Sequence, residues 1–165
     1  MKTKNRNEEI LVLTDVIKVL VSNTEKGNGY AIFEENVPPL GGPPPHRHPD
    51  EEVFYVLEGK FEFILNDMEN PFQVLPGSVV HVPSNAIHTF KNVGGTPGKM
   101  LVMLRPGDLL DYFRAIGTPI RNDKDRPDLT QVPDMSKIDL SKVFELAPLY
   151  DIEFFLPEVM KNDVN

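Results

Sequence analysis

The chain has 165 residues, of which 40% are hydrophobic and 25% charged, with a formal net charge of −8 and no cysteine. The length suits one domain with a real core, the acidic balance excludes a nucleic-acid binder, and the missing cysteines exclude disulfide and thiol chemistry. No apolar run reaches the length of a membrane span and no signal-type stretch follows Met1-Lys2-Thr3-Lys4-Asn5-Arg6, so no membrane contact is expected and a cytoplasmic address is the default.

Sixteen Pro and eleven Gly cut the chain into short segments, which favours many strands over long helices. Residues 1–9 read as a polar, frayed start. Residues 10–21, rich in Val, Ile and Leu, read as one or two strands, 24–29 as a turn, and 30–37 as a strand ended by Pro38-Pro39. Gly41-Gly42-Pro43-Pro44-Pro45 is a stiff loop that delivers His46. Strands follow over 52–57, 60–66, 72–75, 79–82, 87–92 and 99–105, with turns at 66–70 and 93–98. Such a succession predicts an all-β fold, an antiparallel sandwich or barrel.

After Pro106 the character changes. Leu109, Leu110, Phe113 and Ile116 recur with a helical period over residues 108–116. Residues 118–134, with Pro119, Pro127 and Pro133, read as a long surface loop. Residues 139–149 read as a second helix, with Asp139 able to cap its start and Pro148 stopping or bending it. Ile152, Phe154, Phe155 and Leu156 then form an apolar patch in need of a partner surface. The expected organisation is one domain: residues 1–106 hold the strands and 107–165 a helical extension packed on them.

Strands place alternate side chains on opposite faces. With Glu52 inward, Phe54 and Val56 also face in, and Val53, Tyr55 and Leu57 face out although they are apolar. The run Leu101-Val102-Met103-Leu104 is apolar on both faces too. The outer face therefore needs a cover. The C-terminal helices are one candidate. The expected one is a second subunit, giving a homodimer on the outward strand faces and the Ile152, Phe154, Phe155 patch.

Three of the four histidines fall into one constellation: His46 and His48 two apart, Glu52 four further on, and His88 beyond. Three imidazoles and a carboxylate suit one divalent first-row metal ion, such as Fe, Mn, Ni, Co or Zn. Asp50 and Glu51 could ligate in place of Glu52, but they read as solvated turn residues. His81, between the inward Val80 and Val82, should face away from the site, and Arg47 away from its neighbours' face.

The pattern resembles the cupin superfamily. His46, His48, Glu52 and Gly59 match the first cupin motif from its first histidine onward. Leu40 stands where the motif has its leading glycine, with Gly41 and Gly42 after it. Gly77, Pro83, His88 and Asn92 match the second motif, in which Asn85 replaces the inner glycine; Asn tolerates the left-handed conformation better than most residues. The resemblance implies a single jelly-roll β-barrel with short C-terminal helices and His46, His48, Glu52 and His88 as metal ligands. Gly41-Gly42-Pro43-Pro44-Pro45-His46, the phrase Glu52-Val53-Phe54-Tyr55-Val56-Leu57-Glu58-Gly59 and the helical tail are similar to the small quercetin dioxygenase-like cupins. That likeness implies a metal-dependent dioxygenase in which Glu52 doubles as a base.

Phe33, Phe54, Phe61, Phe63, Phe90 and Met103 are expected to line the pocket, and no Lys or Arg falls on the expected inward face. A phosphate-bearing substrate needs such cations, which disfavours a sugar isomerase or epimerase. An apolar, Phe-rich mouth suits an aromatic or enolic small-molecule substrate. A cupin that binds a small molecule without turning it over is the alternative, since fold does not settle function.

Overall fold

The computed structural model describes residues 8–23 and 28–156. The expected frayed start through residue 7, and 24–27 of the expected turn, lie outside the described residues. Ten strands precede the first helix: β1 (Glu8–Val12), β2 (Asp15–Asn23), β3 (Tyr30–Val37), β4 (His46–Arg47), β5 (Glu51–Glu58), β6 (Phe61–Leu65), β7 (Phe72–Val74), β8 (Val79–Val82), β9 (His88–Asn92) and β10 (Gly98–Arg105). Then come α1 (Leu109–Ile116), β11 (Thr118–Pro119), α2 (Ser141–Leu146) and β12 (Glu153–Phe154). Glu8 and Glu9, expected in the frayed start, belong to β1.

The strands form two antiparallel sheets. One has seven strands in the order β11-β1-β2-β3-β10-β5-β8, the other five in the order β12-β4-β9-β6-β7. No ladder joins the two among the described residues, so the expected closed barrel is an open jelly-roll sandwich. Alternation sorts the side chains as the period of two demands. In β3, Ala31, Phe33, Glu35 and Val37 face in, and in β10, Met100, Val102 and Leu104 do. Three rings clamp the sheets together: Phe54 of β5 meets Phe63 of β6 at 5.3 Å and Phe90 of β9 at 5.7 Å between centroids. The inter-ring angles are 67° and 64°, the edge-to-face geometry that the ring quadrupole favours.

Turn chemistry sets the connections. Asn85 takes φ 61°, as expected where the motif's glycine is replaced. Leu40, at the position of the motif's leading glycine, takes φ 61° as well. A Cβ on Gly42 would lie 2.1 Å from the Phe90 carbonyl oxygen, so only glycine lets the loop run this close to β9.

Among the described residues, the C-terminal segment does not cover the outer sheet face. Leu109, Leu110 and Tyr112 of α1, Ala147 and Ile152 join the main core, and α1 and α2 close the mouth of the sandwich. Tyr112 donates to the Val143 carbonyl at 2.8 Å, tying the helices together. The N-cap of α2 is Leu140, not the expected Asp139, which instead accepts the Ser141 N–H at 2.9 Å from one residue earlier, and α2 gives way to a 3-10 turn at Ala147–Tyr150 that contains Pro148. Ile152 is buried and Phe154 half-buried against the same chain, which corrects the expectation that this patch waits for a second subunit. Tyr55, Leu57, Val79 and Met103 remain exposed. No helix among the described residues is long and apolar enough to cross a membrane.

Candidate metal centre

The site is assembled from both sheets. His46 lies on β4, opposite His88 of β9 on one side and Phe154 of β12 on the other. His48 follows β4, and Glu52 lies on β5 in the facing sheet, opposite Leu104 and Val82. The loop before His46 is fastened along β9. Leu40 N–H donates to the Asn92 carbonyl at 2.9 Å, Asn92 N–H to the Gly41 carbonyl at 3.0 Å, and the Thr89 hydroxyl to the Pro43 carbonyl at 2.6 Å. Asn85 N–H donates to the His48 carbonyl at 2.8 Å, so the two motifs are bonded to each other directly.

Ligand atoms of His46, His48 and His88 all lie within 4.8 Å of one another. His46 Nδ1 is 2.9 Å from the Pro44 carbonyl oxygen, and His88 Nδ1 is 2.9 Å from that of Ala86. A carbonyl only accepts, so Nδ1 carries the hydrogen in both rings and, in the neutral imidazole, Nε2 holds the free lone pair. Glu52 Oε2 is 3.0 Å from His88 Nε2 and 3.6 Å from His48 Nε2. A lone pair facing a carboxylate at that distance needs a cation between them. His48 shows the need most plainly: it is 1% exposed, and neither ring nitrogen has a hydrogen-bond partner among the described residues. A buried polar group without a partner is costly, and a metal ion would satisfy it. The donor set therefore fits a divalent first-row metal.

The electrostatics are those of a tight cluster. Burial, then the His88 and His48 charges, push His46 down to about 3, which keeps it neutral and able to ligate. Burial alone would lower His48, but the Glu52 carboxylate outweighs it and raises the ring above its usual value. Burial would raise Glu52, but the His48 and His88 imidazoles hold it well below the carboxylate range.

The remaining expectations divide. His81 faces outward, 2.6 Å from Glu51 on the exposed sheet face. Arg47 also faces out, donating to Glu153 at 2.7 Å and lying 5.7 Å over the Phe155 ring. Asp50 is not a solvated turn residue. It is buried and accepts the Gly107 N–H at 2.7 Å and the Leu109 N–H at 3.3 Å. Phe33, Phe54 and Phe90 line the cavity above the site, whereas Phe61 and Phe63 are fully buried in the core beneath it. Met103 points outward and is exposed. Cross-strand partners share a face, and inward Glu52 pairs with Leu104, so Met103 takes the opposite side.

The cavity also holds two acids that the sequence reading passed over, Asp15 and Glu35. Glu35 was legible, because it lies two residues from inward Phe33 on the same strand. Among the described residues no Lys or Arg lines the cavity, as expected, and its free interior space is about 50 Å³, room for roughly three to five waters.

Residues 33–104 match the cupin domain family. A stretch of 68 residues, 41% of this chain, is 35% identical to quercetin 2,3-dioxygenase from Bacillus subtilis (strain 168). The chain covers 19% of that relative's length. Among solved structures, the polyketide cyclase RemF from Streptomyces resistomycificus superposes with a TM-score of 0.53 at 26% identity, over 63% of this chain and 78% of that one. A predicted oxalate decarboxylase from Thermotoga maritima gives a TM-score of 0.53 at 20% identity, over 62% and 95%, a likeness of fold alone.

Proposed function

Proceeding from a cupin domain at residues 33–104, we propose that the protein binds one divalent metal ion through His46, His48, Glu52 and His88 and is a dioxygenase acting on a small enolic or aromatic molecule. The observation that carries the metal is His48, buried with two unpaired ring nitrogens beside the Nε2 atoms of the other two imidazoles. The likeness to quercetin 2,3-dioxygenase supports the reaction class.

When bound, the metal supplies Lewis acidity, which makes a substrate hydroxyl easier to ionise. Glu52 Oε2 is the carboxylate positioned to take that proton. The Pro44 and Ala86 carbonyls hold the His46 and His88 rings in orientation. Phe33, Phe54 and Phe90 supply an apolar wall that seats the substrate and excludes water. Dioxygen is the oxidant, and both of its atoms enter the substrate, so no separate reductant is required. The interior free space of about 50 Å³ favours a small diol or enol over a three-ring flavonol. A sugar-phosphate isomerase finds no cation in this lining.

Elemental analysis and oxygen uptake test the reading. The native protein should carry one metal per chain, and His46→Ala with His48→Ala should lose it on desalting. Oxygen should be consumed with simple diols faster than with flavonols. Full metal retention in the double variant would refute the centre. Metal without oxygen uptake on either class would leave a binding cupin in place of an enzyme.

A further inference from the structure

The proposed chemistry leaves Asp15 and Glu35 without a task. Successive inner-face rows run Glu52–Leu104–Ala31, then Phe54–Val102–Phe33, then Val56–Met100–Glu35. Glu35 therefore stands two rows from Glu52, beyond an apolar belt. Ile17 lies opposite Glu35, and Asp15 shares the inner face with Ile17 two residues earlier on β2. Both acids line the same cavity as His46 and His88, at 4% and 8% exposure for Asp15 and Glu35.

Their partners differ. The Thr14 hydroxyl donates to Asp15 Oδ1 at 2.6 Å and itself accepts the Gly42 N–H at 3.3 Å. That chain ties Asp15 to the loop that carries His46. Glu35 has no hydrogen-bond partner among the described residues and no cation beside it in the cavity. A buried carboxyl with neither a donor nor a cation keeps its proton. It then offers one O–H to give and one carbonyl oxygen to receive. Burial and the Asp15 and Glu52 charges all act on Glu35 in that direction.

We propose that Asp15 and Glu35 form a second polar subsite in the cavity, which receives the uncharged hydroxyl or carbonyl end of a small substrate whose other oxygen lies at the imidazoles. The subsite turns away carboxylates, because an incoming anion finds no cation in the lining to offset it and meets the Asp15 carboxylate whenever that group is ionised. The subsite deepens the metal-centre reading and rests on it for the position of the first oxygen.

Dihydroxyacetone and hydroxypyruvate are matched probes: both present a hydroxy-ketone, and they differ in ending on a hydroxymethyl group or a carboxylate. Each is titrated into protein reconstituted with the divalent ion found by elemental analysis, and affinity is read from the shift in thermal midpoint. Glu35→Leu should weaken dihydroxyacetone about tenfold by removing its partner, while raising the midpoint of the ligand-free protein. Asp15→Asn combined with Glu35→Gln keeps the hydrogen-bonding groups, so dihydroxyacetone should stay within about threefold while hydroxypyruvate gains about tenfold. Constants unmoved in both variants, or both probes weakened equally by Glu35→Leu, would overturn the subsite. Metal content measured in parallel separates the two readings. Wild-type protein that holds no metal refutes the centre and the subsite with it; full metal in every variant with an unmoved probe ratio refutes the subsite alone.

Discussion

Leu40 shows how much one backbone dihedral can decide. Its φ of 61° puts an exposed, branched side chain in the left-handed region, at the position where the resembled motif has glycine. Left-handed backbone costs a non-glycine residue about 1–2 kcal/mol, and glycine gives back about 0.5–1 in unfolded-state entropy. Leu40→Gly should therefore raise stability by up to about 1 kcal/mol in urea unfolding; a loss of comparable size would contradict the strain. Asp15 makes a prediction about pH. Burial pushes it up to about 7 from 3.8, against the Thr14 hydroxyl that lowers it. The folded chain thus holds this proton more tightly than the unfolded one. The stability it contributes is full below 3.8 and lost as the pH rises through about 7. Between about pH 5 and 8 the melting midpoint of Asp15→Asn should fall less than that of the wild type, and parallel slopes would show that the group does not titrate there.

At the scale of elements, the ligands depend on short pieces held by others. β4 has two residues, yet it is paired on both sides, by β9 and by β12. β12 is itself anchored by Arg47 to Glu153 and by Phe155 N–H to the Pro45 carbonyl at 2.8 Å. Asp50 does the same for the opposite edge of the site. Its carboxylate, two residues before Glu52 in the chain, accepts two amides at the start of α1 and so fixes that helix beside the site. Asp50→Ala leaves the buried Leu109 amide and the half-buried Gly107 amide without an acceptor and should cost about 2 kcal/mol in denaturant unfolding. A change below about 0.5 kcal/mol would mean that solvent replaces the carboxylate there. The long strands were legible from alternation to within a residue or two. β11, read as loop, and the strands β4 and β12 were not, because a two-residue strand has no period of its own and exists only where a neighbour offers a free edge.

For the whole molecule, the decisive outcome is which surface the C-terminal segment covers. Its described residues close the cavity and leave the outer face of the seven-stranded sheet bare. On that face Tyr55 lies opposite Val79 and Leu101, and Val53 opposite Met103, a continuous apolar strip ending at the free edge of β8. We propose that a second copy covers this strip, since contiguous apolar patches are rare on soluble monomers and two-fold dimers are the commonest way to bury them. Light scattering should give about twice 18.6 kDa, and Tyr55→Glu with Val79→Lys should halve the mass. A wild-type mass of 18.6 kDa would show that the strip stays bare.

By itself the sequence determined the all-β class and the succession of the longer strands, and the resemblance of its two motifs singled out the three histidines that converge. It also located the empty positive flank of the pocket, since alternation alone keeps Lys and Arg off the inner face. Only the tertiary structure decided that Met103 turns out, that Asp50 is a buried anchor, that the sheets stay open and that the tail plugs the mouth. Each of these depends on which strand lies opposite which, and cross-strand register is settled by contacts between residues far apart in the chain. Asp15 and Glu35 belong to the same class: their parity was readable, but their consequence, two acids sharing a cavity with the imidazoles and no cation, arises only when the sheets are brought face to face.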